Sequence, residues 1–250
     1  CEKITSLKLG SSVKTIGYHG FAFCLSIVEE IILPDSVTSI GTYAFIKCDN
    51  LPSIKFSNNL QLIPESAFSR CVNLSGEFVI PEPVTRIGLH AFYNCTKLKS
   101  VKFNSKLEVI EEIAFQYCNS LEGPIYLPST VKEIQLNVFQ FSQITEVYFF
   151  GSTEPKCSTA FPTEDLNSIT AYVTDSYTST TFCRLNAVKI LPSPTISYPE
   201  ASSEIFETET NIEEIEISSE LIDTSEIKIS SEIISVTEEI PSFTEEIPSF

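Results

Sequence analysis

Eight cysteines and two histidines are the residues of this 250-residue chain best suited to chemistry. In the stretch Ile87 to Phe103, IGLHAFYNCTKLKSVKF, Cys95 stands between an aromatic and a lysine-rich run. There it could be a nucleophile, a metal ligand, half of a disulfide, or a small group in a core. A nucleophilic thiol needs a base beside it. A structural zinc site needs four ligands arranged tetrahedrally at about 2.3 Å from the metal. A disulfide needs Cβ atoms within about 3.5–4.5 Å of each other.

Which of these holds depends on the elements that position the sulfur, and the chain repeats itself. An Ile, an Ala or Gly followed by Phe, and a Cys recur as Ile16/Phe21/Cys24, Ile40/Phe45/Cys48, Ile63/Phe68/Cys71, Ile87/Phe92/Cys95 and Ile110/Phe115/Cys118. A degenerate copy, Ile134/Phe139, carries Ser142 in the cysteine slot, and Ala160-Phe161 keeps only the aromatic step. The Phe spacing alternates between 24 and 23 residues, so the full period is a pair of units. Such periods mark stacked repeats, in which each unit buries its apolar edge only against the next. Cys1 falls one unit before Cys24, so residue 1 is expected to lie inside a repeat.

Within a unit, period-two alternation predicts one strand with one buried face. The inward pairs are Leu7/Leu9, Ile31/Leu33, Ile54/Phe56, Phe78/Ile80, Val101/Phe103, Ile125/Leu127 and Val147/Phe149. A turn follows, often with Pro ending the ladder, then a second short apolar run such as SVTSIG. The expected fold is a solenoid, either α/β-type or mostly β, with one parallel strand per 23–24-residue coil about 4.8 Å from the next.

In that geometry Cys1, Cys24, Cys48, Cys71, Cys95 and Cys118 occupy one interior column. A line of thiols cannot surround a zinc ion, parallel side chains hold neighbouring Cβ atoms too far apart for disulfides, and no coil adds a base. The column is therefore expected to be structural, its free thiols acting as small hydrophobes. Cys157 and Cys183 stand outside it and are a candidate disulfide, as an oxidising compartment would favour. His19 and His90 fall at equivalent turn positions about 14 Å apart, too far to share an ion. No catalytic, metal or cofactor site is expected, and Glu111-Glu112 reads as a solvated edge.

The outward strand positions form two columns. One runs Ser6, Glu30, Ser53, Glu77, Ser100, Pro124, Glu146. The other runs Lys8, Ile32, Lys55, Val79, Lys102, Tyr126, Tyr148, where apolar groups ringed by Lys and Ser suit the grip of a protein partner. Alternating lysines also keep like charges off neighbouring strands.

Charge divides the chain. Residues 1–191 carry 18 acids and 15 bases, whereas residues 192–250 carry 15 acids and only Lys228 as a base, for a total of −17. That balance disfavours nucleic acid as a partner. No apolar run reaches the ~18 residues of a membrane span, and Cys1-Glu2-Lys3 does not open a secretory signal. Residues 1–150 are read as the repeats, 151–191 as a cap with strands in SITAYVT (Ser168 to Thr174) and AVKIL, and 192–250 as a disordered acidic stalk. Sequons at Asn73-Leu74-Ser75 and Asn94-Cys95-Thr96 weakly support secretion.

The unit C..L..I.LP.SVT.IG..AF..C resembles the BspA-like class of leucine-rich repeats, found in surface proteins of bacteria and protozoan parasites. The resemblance implies a cell-surface or secreted protein that adheres to host or neighbouring-cell macromolecules. An intracellular scaffold, in a cytoplasm that keeps the thiols reduced, is the alternative.

Overall fold

The computed structural model describes residues 1, 3–162 and 168–189. They form a parallel β-solenoid of about seven turns with almost no helix. The principal strands are β2 (Ile31–Ile32), β4 (Ile54–Lys55), β5 (Gly76–Val79), β7 (Leu98–Lys102), β9 (Glu122–Leu127), β11 (Gln143–Phe149), β13 (Thr170–Val173) and β15 (Leu185–Lys189). A second row runs down another side of the coil: β1 (Thr15–Ile16), β3 (Ser39–Ile40), β6 (Arg86–Ile87), β8 (Val109–Ile110), β10 (Glu133–Ile134) and β12 (Lys156–Cys157). The sequence showed this row only as a short apolar run. Its two-residue strands still ladder in parallel, with Ile87, Ile110, Ile134 and Cys157 in successive register.

The tail 192–250 lies outside the described residues, and with it the expectation of disorder. The principal sheet itself crosses residue 150 without a break, since β11, β13 and β15 pair in order. Beyond β15 sits β14 (Thr181–Phe182), antiparallel to it. The two-residue turn between them, Cys183-Arg184, has φ of 48° and 73°, the left-handed geometry that matches a hairpin's twist. A short antiparallel strand at the end of a sheet leaves little edge to template further pairing.

The alternation between 24 and 23 residues has a structural cause. The longer units carry one more residue between the interior Leu of the turn and the strand, as in Leu74-Ser75-Gly76-Glu77-Phe78 against Leu98-Lys99-Ser100-Val101. Gly76 and Gly123 take φ of 89° and 78° there, and the ladder register shifts at Gly76/Glu77 and beside Gly123. The extra residue of each bulge sits on the partner strand, Lys99 in β7 and Thr145 in β11, opposite the left-handed glycine. The principal sheet is grouped as a β2-β4 pair, a β5-β7 pair and the larger set from β9 onward.

The core is built in columns. Phe21, Phe45, Phe68, Phe92, Phe115, Phe139 and Phe161 stack ring on ring, with centroids 5.1–5.6 Å apart. All but Phe21 are fully buried. Each of the first six stacked rings is set by a tight turn with left-handed residues two before and two after the Phe: His19/Phe23, Tyr43/Lys47, Ser66/Arg70, His90/Asn94, Ile113/Tyr117 and Asn137/Phe141. The turn amides then donate to the following coil, as Phe45 N to Ala67 O and Phe92 N to Ala114 O, both at 2.8 Å. Where the backbones come closest, only glycine fits: a Cβ on Gly41 would lie 2.5 Å from Tyr18 N, and one on Gly88 2.6 Å from Glu65 N.

Candidate functional site

The cysteine column is interior. Cys24, Cys48, Cys71, Cys95 and Cys118 are fully buried and free, while Cys1 is free and exposed. Cys1, expected in the same column, stands apart from these buried members. Each later thiol donates to the Phe carbonyl of the preceding coil: Cys48 to Phe21, Cys71 to Phe45, Cys95 to Phe68 and Cys118 to Phe92, at 3.1–3.3 Å. Burial pushes the Cys24 thiol up to about 11 and the Cys118 thiol up to about 12. Cys71 and Cys95 rise for the same reason. Cys71, Cys95 and Cys118 are thus protonated donors, poor as nucleophiles, whereas the hydrogen bond with the Cys71 thiol lowers the Cys48 pKa. Among the described residues, no group of three or more His, Cys, Asp or Glu could hold a metal.

Cys157 and Cys183 are joined by a disulfide, with Cα atoms 5.3 Å apart. It ties β12 of the second row to the β14–β15 turn, where the Cys183 amide also donates to Glu154 at 2.7 Å. His19 and His90 both sit on left-handed turn residues, with φ of 55° and 56°. His19 stacks on exposed Tyr18 at 4.1 Å. His90 is half-buried, and desolvation lowers its pKa against the opposing pull of Glu65 and Glu112.

The outward column of the principal sheet is the most continuous surface feature. Lys8, Lys55 and Lys102 are exposed, as are Ile32 and Val79 at 56% and 44%. Ile32 pairs with Lys55, and Val79 with Lys102. Lys102 also meets Glu77 at 3.0 Å in an exposed ion pair, a contact that contributes little to stability. Tyr126 and Tyr148 are only half-buried, because they stack on each other at 5.0 Å.

The column extends past the residues that the sequence singled out. Tyr172 pairs with Tyr148 and stacks on it at 4.7 Å, and Val188, 46% exposed, pairs with Tyr172. The signal was present in SITAYVT: Ala171 and Val173 are buried, so strand alternation sends Tyr172 outward. Tyr148 donates to Glu146 at 3.3 Å, and burial beside that carboxylate pushes its phenol up to about 12. Tyr148 thus lies between Tyr126 and Tyr172, stacked on both faces. Protein side chains can pack against the edges of such rings.

The model of the BspA-type leucine-rich-repeat region matches residues 1–76 and 76–188, with six copies in all. No curated protein matches the chain. Among solved structures, a leucine-rich-repeat protein of T. pallidum is 30% identical over 55% of this chain and 66% of its own, with a TM-score of 0.49. One from Bacteroides ovatus is 20% identical over 72% of this chain and 64% of its own, with a TM-score of 0.42. A leucine-rich cell-surface protein of Faecalibacterium prausnitzii is 15% identical over 76% of this chain and 87% of its own, with a TM-score of 0.34. The chain thus spans just under two thirds of the first two.

Proposed function

Because the chain belongs to the BspA-type leucine-rich-repeat family, we propose that it is a non-catalytic recognition protein of the cell surface. In this reading it binds proteins of a host or of neighbouring cells through the outward face of its principal sheet. The observation that carries it is the outward column, Lys8, Ile32, Lys55, Val79, Lys102, Tyr126 and Tyr148, continued by Tyr172 and Val188. Stacked tyrosines are already ordered before a partner arrives, so they lose little conformational freedom on binding. The lysines, about 9.6 Å apart along every second coil, add charge selectivity at the rim of the apolar positions.

The test is binding of the labelled full chain to intact animal cells. Reversing the charge of Lys55 and Lys102 while replacing Tyr126 and Tyr148 by Ser should abolish capture, with the circular dichroism spectrum and melting temperature retained. Unchanged capture by this folded variant moves the site to the turns.

A second reading, an intracellular scaffold, is favoured by the five buried free thiols, which suit a reducing cytoplasm. Antibody raised against residues 1–189 separates the two: staining of unpermeabilised cells of the source organism supports the surface reading, and staining only after permeabilisation supports the scaffold.

A further inference from the structure

We propose that Asn94 is an N-glycosylation site of the folded protein and that Asn73, the other sequon, is not. Both have the required hydroxyl two residues on, at Thr96 and Ser75, so the sequence alone does not separate them. Their side chains do.

Asn73 is fully engaged between coils. Its Nδ2 donates to Asp49 O at 2.7 Å and to Asn50 Oδ1 at 3.4 Å, and its Oδ1 accepts from Lys97 Nζ at 2.6 Å. An amide nitrogen has two N–H groups, and both are in use. Asn94 occupies the left-handed turn position after Phe92, with φ of 59°, and only its backbone amide is bonded, to Gln116 O at 2.8 Å. Among the described residues its side-chain amide has no hydrogen-bond partner. It is half-buried on a turn whose equivalents in the adjoining coils, Arg70 and Tyr117, are exposed.

In the transfer step, the amide nitrogen attacks the anomeric carbon of an oligosaccharyl lipid diphosphate. The C–N bond forms as the carbon–oxygen bond to the diphosphate breaks, one amide proton leaves, and the lipid diphosphate departs. At Asn94 this costs the fold nothing that is bonded. At Asn73 it removes one of two used N–H groups and places a bulky sugar where adjacent coils meet. The sequon hydroxyls are themselves tied up in the folded chain, Thr96 to Val72 O at 3.1 Å and Ser75 to Pro52 O at 3.3 Å. Transfer therefore precedes folding, and the two sites are sorted by whether the modified chain can close its coils.

The experiment expresses the full chain behind a signal peptide in cultured insect cells. Folded chains, whether secreted or retained, are separated from misfolded ones by resistance to limited proteolysis, and occupancy is read by mass spectrometry before and after peptide N-glycosidase. The expected result is a folded pool with sugar on Asn94 and none on Asn73. Asn94→Asp, which keeps a residue suited to the left-handed turn, should then remove the glycosidase-sensitive mass without shifting the melting temperature, and Asn73→Gln should lower the melting temperature without changing that mass. A folded pool in which Asn94 is bare, or Asn73 is modified, overturns the proposal.

Discussion

At the scale of single residues, the cysteine column shows how a reactive side chain becomes a structural one. A thiol at this position fills a small apolar slot and also reaches the Phe carbonyl of the coil before it. Ser142 occupies the same slot, and its buried hydroxyl has no hydrogen-bond partner. A C–O bond is shorter than a C–S bond, so a hydroxyl reaches less far than a thiol. Ser142→Cys is expected to raise stability by about 1 kcal/mol, the usual net contribution of a satisfied hydrogen bond, as read by chemical denaturation. Thiol reagents should label Cys1 in the native protein, and Cys24, Cys48, Cys71, Cys95 and Cys118 only after unfolding. His90 adds a pH term: burial holds its folded pKa below the ordinary 6.5, so the unfolded chain binds a proton first as pH falls. Stability contributed by this group is then lost below about pH 6.5. His90→Asn, which suits the left-handed turn, should flatten that part of the stability–pH curve.

At the scale of the element, the unit is a coil in which one aromatic and two left-handed turn residues are set together, joined at Gly41 and Gly88 by a close backbone approach. Phe92 lies between Phe68 and Phe115, at 5.4 and 5.1 Å, so Phe92→Ala leaves a hole in a continuous stack. The expected loss is about 3–5 kcal/mol, measured by urea unfolding. Gly88→Ala places a methyl against the Pro64-Glu65 backbone, where neither partner is a flexible side-chain end. It should destabilise by more than the ~1 kcal/mol that Ala ordinarily gains over Gly in a regular element. The interior positions of each coil were legible from the sequence, because a buried letter that recurs at a fixed spacing needs no long-range information. The left-handed glycines and the bulges opposite them were not, since an alternating length says that a residue is extra without saying how the backbone absorbs it.

For the molecule as a whole, stability comes from nearest-neighbour stacking, so the ends are the weakest places. The Cys157–Cys183 disulfide closes a 26-residue separation at one of them. By the loop-entropy estimate, such a link contributes about 3.5 kcal/mol. Cys183→Ser is expected to lower the melting temperature and to raise amide exchange first in β12, β14 and β15, with the coils around Phe68 and Phe92 still protected. Uniform loss of protection along the stack would show instead that the molecule melts as one unit.

The letters themselves determined the stack, the inward columns and the outward row from Lys8 to Tyr148, because period-two strands and a repeat near two dozen residues leave each position a single face. Only the tertiary structure decided how neighbouring coils use those positions: which carbonyl each thiol reaches, that Tyr148 stacks between two tyrosines, that Val188 continues the row, and that Cys157 meets Cys183. These depend on distances between residues far apart in the chain, and such distances come into being only when one coil settles on the next.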